Sequence, residues 1–146
     1  MKYFVKALVS FCFCVLLTAG CTLHSSRENE SHARVMRLQR EAEIMGEVFR
    51  FMGDNSGSAE CIIAAPDKAY LLIREQFVLS QPKFSFRQAR EDDPAFLSVS
   101  VLRISGNRAT AVGSNNSPSS FSTFEFQLSL VNGKWRIQSH EFKMAS

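Results

Sequence analysis

The chain has 146 residues, with 17 Lys and Arg against 14 Asp and Glu and a formal net charge of +3 at pH 7. The first 20 residues contain two of the basic side chains and none of the acidic ones, so the rest of the chain is close to neutral. This balance, without a run of Lys or Arg, argues against a nucleic-acid partner. The part of the chain after residue 20 is long enough for one domain and too short for two.

The N-terminal segment has the composition of an export signal. Lys2 and Lys6 form a short basic start, residues 7–17 are almost continuously apolar, and residues 18–20 are small. The apolar run is too short to span a bilayer comfortably, which argues against a transmembrane anchor. The alternative is an ordinary secretory peptide in which the cysteine at position 21 has no special role.

Leu17-Thr18-Ala19-Gly20-Cys21 resembles the bacterial lipobox. The resemblance implies a lipoprotein: residues 1–20 are removed as a signal peptide and Cys21 carries fatty acids such as palmitate. Each buried methylene then contributes about 0.8 kcal/mol to membrane attachment, which makes the anchor effectively permanent. Thr22 stands where Asp would retain a lipoprotein at the inner membrane. In a host with two membranes we therefore expect the outer membrane, with the protein facing the periplasm.

The cysteines leave no pair for an internal disulfide. Cys12 and Cys14 lie in the signal segment and Cys21 is the lipidation site, so only Cys61 remains. Cys61 precedes two isoleucines and reads as a small buried apolar residue rather than as a nucleophile.

Residues 21–31 are polar and predict a tether, followed by a single domain over residues 32–146. The domain begins with a helix whose apolar residues recur at spacings of three and four, and Gly53-Asp54-Asn55 is expected to end it. A second helical stretch is predicted from about Ala59 to Leu79, interrupted at Pro66. The apolar stripe of the first helix consists of Val35, Leu38, Ala42, Met45, Phe49 and Met52.

After Pro82 the period changes to two, which predicts strands. They are expected around Phe84 and Phe86 and over residues 96–104, 108–113, 121–131 and 134–143, with a polar loop over residues 114–120. Gly106-Asn107 suggests one tight turn, with Ile104 opposite Ala109 and Leu102 opposite Ala111.

Asn132-Gly133 is the favoured sequence of a two-residue hairpin turn and fixes a register. On the expected core side it pairs Leu130 with Trp135, Leu128 with Ile137, Phe126 with Ser139 and Phe124 with Glu141. On the polar side it pairs Ser129 with Arg136, Gln127 with Gln138 and Glu125 with His140.

Helices followed by an antiparallel meander predict an α+β fold. The element order over about residues 32–143 and the ending Val131-Asn132-Gly133-Lys134-Trp135-Arg136-Ile137 resemble the nuclear transport factor two-like superfamily, and a cystatin-like fold is the alternative. The resemblance implies N-terminal helices packed on a curved, cone-like antiparallel sheet. It also implies a pocket in the mouth of the cone, for which the candidate lining residues are Phe84, Phe86, Phe124, Phe126, Trp135 and Glu141.

The sequence offers little evidence of catalysis. Glu141, on the expected apolar side, could serve as a base if desolvation raised its pKa. His140 and Glu125 read as a solvated surface pair. We expect no catalytic residues and no cofactor. We also expect no metal, because the His, Cys, Asp and Glu residues do not have the spacing of metal ligands.

Three functional hypotheses follow. The first is a non-catalytic, membrane-tethered binding or scaffold module of an envelope assembly, with protein partners or a homodimer formed through the sheet. The second is a carrier or sensor of a small apolar ligand in the cone pocket. The third is an isomerase- or hydrolase-like enzyme.

Overall fold

The computed structural model describes the backbone of residues 2–145 and the side chains of residues 29–144. It divides into two compact units, Met1–Arg37 and Leu38–Ser146. The elements in chain order are α1 (Lys2–Ser56), β1 (Glu60–Ala64), α2 (Asp67–Ser80), β2 (Ser85–Gln88), β3 (Phe96–Ser105), β4 (Arg108–Ser117), β5 (Ser120–Val131) and β6 (Lys134–Ala145).

The first unit consists of helical residues of α1, and its described side chains, residues 29–37, are exposed. The lipobox side chains lie outside the described ones. We predicted a signal peptide, a tether over residues 21–31 and a domain. This division concerns the processed chain and stays a prediction. In the structure, the backbone of residues 21–31 is helical. Val35, which we expected on the apolar stripe, is 60% exposed.

In the second unit, α1 supplies a broad apolar face to the core. The predicted stripe is buried at Ala42, Met45, Phe49 and Met52, and Ile44 and Val48 widen it. The helix continues through Gly53 and ends at Ser56, one residue after the tripeptide that was expected to end it. The reason that a glycine stands at position 53 is packing, since a Cβ there would overlap the ring of Phe84.

The predicted helix over residues 59–65 is wrong, because Glu60–Ala64 forms strand β1. Cys61 and Ile63 are buried while their neighbours are less so, the alternation of a strand. The consecutive isoleucines favour extended backbone, and Pro66 separates this segment from α2. The inner face of α2 consists of Ala69, Ile73 and Phe77, which are buried.

The sheet has six strands in the order β2-β1-β3-β4-β5-β6. β1 pairs parallel with both β2 and β3, whereas β3 to β6 pair antiparallel in chain order. The α+β prediction is confirmed, with two helices packed on a mixed sheet. The parallel edge was not expected, because the segment that forms β1 was assigned to a helix.

Both predicted tight turns are confirmed, with positive φ at Gly106, Asn132 and Gly133. The predicted loop over residues 114–120 is wrong, because β4 continues to Ser117 and β5 starts at Ser120. The small polar side chains of this segment are compatible with strand backbone, and only Pro118 and Ser119 form the turn.

Register shifts of one residue change the outer parts of both hairpins. Leu128 opposes Ile137 as predicted, but Gln127 then opposes Ser139, which places the extra residue on β6. In the other hairpin, Val101 rather than Leu102 opposes Ala111, and Leu102 is 60% exposed. An inserted residue of this kind reverses the faces of the residues after it, which a count outward from the turn cannot foresee.

The core lies between the helices and one face of the sheet. Its fully buried large side chains come from α1, β1, α2 and β5, and no polar or charged side chain among residues 29–144 is buried. At Gly113 of β4, an added Cβ would lie 2.5 Å from Sδ of Met52, so the absence of a side chain lets α1 approach the sheet closely. The fully buried residues are Phe49, Phe126, Ile44, Ile63, Ile73, Leu128 and Val48.

Candidate functional site

A pocket of about 320 Å³ lies between α1, α2 and the start of β6. α1 contributes Glu43, Gly46, Glu47 and Arg50, whose spacing of three and four places them on one face of the helix. The last turn of α2 contributes Phe77 and the residues after it. The tight turn at residues 132–133 brings the start of β6, residues 134–136, to the same pocket.

Glu47 is the centre of the pocket's ion pairs. Arg50 donates two hydrogen bonds to its carboxylate, from Nη2 at 2.9 Å and from Nε at 3.1 Å. Nη1 of Arg136 lies 3.8 Å from the same carboxylate, and Asp54 accepts a hydrogen bond from Arg50 at 3.4 Å. The hydrogen bond with Glu47 raises the pKa of Arg50 above its ordinary value. Two guanidinium groups therefore compensate the charge of Glu47.

The lining has a small excess of positive charge. Arg50, Lys134 and Arg136 stand against Glu43 and Glu47. Lys134 forms no ion pair within 4.0 Å among the side chains of residues 29–144. The pocket therefore favours anions over cations.

Trp135 joins the pocket to the core. It is only 5% exposed, and its indole N–H has no hydrogen-bond partner within the described part of the chain. A buried donor without an acceptor costs about 1–3 kcal/mol, and this nitrogen is enclosed by the surrounding protein atoms.

Of the six predicted pocket residues, only Trp135 lines this pocket. Phe84 and Phe126 belong to the buried core, and Phe86 and Phe124 pack against it. The ring of Phe86 stands edge-on to Phe77 at 4.7 Å between centroids. These aromatic side chains fill space that the sequence reading assigned to a ligand.

Glu141 does not lie on the apolar side of the last hairpin. The register shift places it opposite Glu125 rather than Phe124, and its exposed carboxylate accepts a hydrogen bond from Lys143 at 2.8 Å. The same shift places His140 opposite Phe126. The expected pair of His140 with Glu125 is therefore wrong.

His140 instead contacts aromatic rings from the core side. Its ring centroid lies 4.9 Å from that of Phe51 and 6.0 Å from that of Phe126. Two residues further along each strand, on the same face, Phe142 packs on Phe124 with 5.4 Å between ring centroids. His140 and Phe142 thus form an aromatic strip on the side of β6 that faces α1.

The sequence reading missed most of the charged residues of the pocket. Glu47 and Arg50 lie outside the apolar stripe predicted for α1, and Arg136 was placed on the polar side of the last hairpin. These residues flank the buried stripe of α1 and the turn at residues 132–133. They come together only because α1 packs against the last hairpin, which the sequence alone does not reveal. The Asn132-Gly133 turn was the available signal, because it places residues 134–136 at the end of the sheet.

Other chemical groups are dispersed. No group of three or more His, Cys, Asp or Glu among the described residues could hold a metal ion. Burial raises the pKa of the Cys61 thiol, whose Sγ lies 3.7 Å from Oγ of Ser56. In the described part of the chain, no helix has the combined length and apolar character needed to cross a bilayer.

Comparison with known proteins finds no matching family model and no similar curated protein. Among solved structures, an NTF-2-like protein of unknown function from Silicibacter pomeroyi is similar, with 15% sequence identity and a TM-score of 0.29. The match covers 80% of this chain and 98% of that protein.

Proposed function

We propose that the chain is a lipid-anchored, non-catalytic binding module with a nuclear transport factor two-like domain, which holds a protein partner of an envelope assembly. The anchor is acylated Cys21 in the outer membrane, and the domain faces the periplasm. The basic start, the apolar run and the small residues before Cys21 support the anchor. Two helices on a sheet that ends in a four-strand meander support the fold assignment.

The open edge of β6 is the observation that carries the binding role. β6 is the last strand in the sheet order, and within residues 2–145 it pairs only with β5, so its other edge has backbone N–H and C=O groups without a strand partner in that range. Such an edge is a template for a strand of another chain. Register shifts after Ile137 and after Phe142 interrupt it, so residues 139–142 form a regular segment that a partner strand could pair with.

Apolar side chains accompany this edge. Phe142 is 53% exposed and Met144 is 54% exposed, although both are large hydrophobic residues. A partner strand on this edge would bury part of that surface, which adds hydrophobic stabilisation to the backbone hydrogen bonds. Lys143 lies between these two residues in the sequence and forms an ion pair with Glu141. A charged side chain on an edge strand opposes aggregation of the free protein.

Site-specific photocross-linking in the native envelope tests the role of this edge. A photoreactive amino acid at position 142 is expected to give a discrete adduct with an envelope protein. The matched control carries the photoreactive amino acid at position 102 instead, where Leu102 of β3 is also an exposed apolar residue. This control is expected to give no adduct. A lack of adducts at 142, equal adducts at both positions, or an adduct of this chain with itself alone would contradict the proposal.

A separate experiment tests the anchor. Labelling of growing cells with a clickable fatty acid is expected to label the wild-type chain and not a Cys21→Ala variant. Equal labelling of the two chains, or no labelling of the wild type, would contradict lipidation. The partner-binding proposal does not depend on this result, because β6 lies in the other structural unit.

A second candidate function is the carriage of a small ligand. The pocket at Trp135 favours it, because its volume and its mixture of apolar and polar lining are typical of small-molecule sites.

A further inference from the structure

The pocket between α1, α2 and β6 has one more cationic than anionic side chain in its lining. The buried indole N–H of Trp135 has no partner among the described residues. Lys134 makes no ion pair there, and Arg136 is half-exposed with only a 3.8 Å approach to Glu47. Along β6 the exposed cations Lys134 and Arg136 alternate with buried Trp135, so the two charged side chains lie on the same face of the strand.

The acidic residues of the pocket do not cancel this excess. Glu47 is already held by two hydrogen bonds from Arg50. Glu43 lies one helical turn away, about 6 Å along α1, and accepts a 3.5 Å hydrogen bond from Gln39. An anion placed near residues 134–136 therefore meets Lys134, which has no ion pair among the described side chains, and Arg136, whose approach to Glu47 is long at 3.8 Å.

The remaining lining is mixed, with polar Gln76 and Ser80 beside apolar residues. Phe77 and Trp135 supply aromatic surface, and Leu79 is exposed at the margin. The volume of about 320 Å³ is at the lower end of the range for small-molecule pockets, which limits the ligand to a compact one.

We propose that this pocket binds a small organic carboxylate with an aromatic or aliphatic body. The carboxylate lies near Lys134 and Arg136 and the body packs against Phe77 and Trp135. This inference rests on the second candidate function, small-ligand carriage, and adds the chemical class of the ligand.

Titration with a matched pair of probes tests the proposal. 1-Naphthoate carries the carboxylate, and 1-naphthamide has the same aromatic body without the charge. The chain contains one tryptophan, so the Trp135 indole N–H gives a single signal in a ¹H–¹⁵N spectrum of the full chain in zwitterionic detergent micelles. Saturable displacement of that signal measures binding at the pocket.

We expect 1-naphthoate to bind several-fold more tightly than 1-naphthamide. Because exposed ion pairs are individually weak, replacing both cations in a Lys134→Gln/Arg136→Gln variant should weaken 1-naphthoate binding about fivefold and leave 1-naphthamide unchanged. Both side chains are exposed, so the variant is expected to fold. Arg103→Gln, which removes an exposed positive charge on β3, is the control and should bind both probes like the wild type.

Equal binding of the two probes would overturn the carboxylate assignment and leave a ligand-carrying pocket. Binding of 1-naphthoate that does not respond to the double substitution would also overturn the assignment, because the cations would then have no part in it. If neither probe displaces the Trp135 signal, both this inference and the carrier function fail.

Discussion

Gly53→Ala tests why a glycine stands near the end of α1. The two explanations are close packing against a neighbouring side chain and termination of the helix. Alanine is favoured over glycine in a helix by about 1 kcal/mol, so the substitution would stabilise an unhindered position. In the structure, however, an added Cβ would lie 2.8 Å from Cδ1 of Phe84 and closer still to two further ring atoms. Phe84 is buried, so its ring cannot move aside without strain in the core. Overpacking of this kind costs about 1–3 kcal/mol.

We therefore expect Gly53→Ala to lower the free energy of unfolding by up to about 2 kcal/mol, since the steric cost exceeds the helix-propensity gain. Gly46→Ala is the matched control on the same helix. An added Cβ there would meet the end of the flexible Gln76 side chain, which can rotate away. Its stability should equal or exceed that of the wild type. Urea unfolding followed by the fluorescence of Trp135, the sole tryptophan, measures both changes. Equal stability of the two variants, or a more stable Gly53→Ala protein, would refute the reasoning.

Three further predictions concern the core and two titrating groups. Phe126→Ala removes a fully buried ring and should lower the free energy of unfolding by about 3–5 kcal/mol, measured in the same urea experiment; a loss below 1 kcal/mol would contradict its place in the core. Hydrogen bonds from Arg87 and from the backbone N–H of Arg90 lower the pKa of Asp93 to about 2, so its stabilising contribution, present above pH 4, should disappear as the pH falls from about 4 to 2. Carboxyl NMR titration should give that pKa and a higher one in Arg87→Gln; an unchanged value would contradict the ion pair. Because burial raises the pKa of Cys61, iodoacetamide at pH 8 should modify it far more slowly in the native protein than in urea, and equal rates would contradict its burial.

The parts of the fold that follow from local chemistry could be predicted from the sequence. The Asn132-Gly133 turn and the pairing as far as Ile137 follow from backbone preferences, and the buried face of α1 follows from its spacing. The helix assigned to residues 59–65 failed because a short apolar segment fits a buried strand as well as a helix. Its identity as β1 depends on pairing with strands that come later in the chain.

The candidate site was less accessible to sequence reasoning. The one-residue shift on β6 has no signature in Gln138 or its neighbours, yet it decides whether Glu141 or Phe142 faces the helices. The polar residues of the pocket, such as Glu47 and Arg136, resemble ordinary surface residues until α1 and the last hairpin pack together. Aromatic residues attracted attention because of their size, but size alone does not distinguish a core from a ligand site.

The position of β1 within the sheet has a consequence for the order of folding. β1 lies between β2 and β3, and both of these strands follow it in the chain. Its pairing with β3 joins Ile63 to Leu97, whereas each later strand pairs with the next one across a turn of two residues. Contacts between distant segments form more slowly than local ones, so the meander is expected to assemble first. During synthesis, α1 and β1 emerge long before the strands that complete their core. If the chain is exported as we propose, this order keeps its N-terminal half unfolded until the last hairpin is available, which suits passage across a membrane as an extended chain.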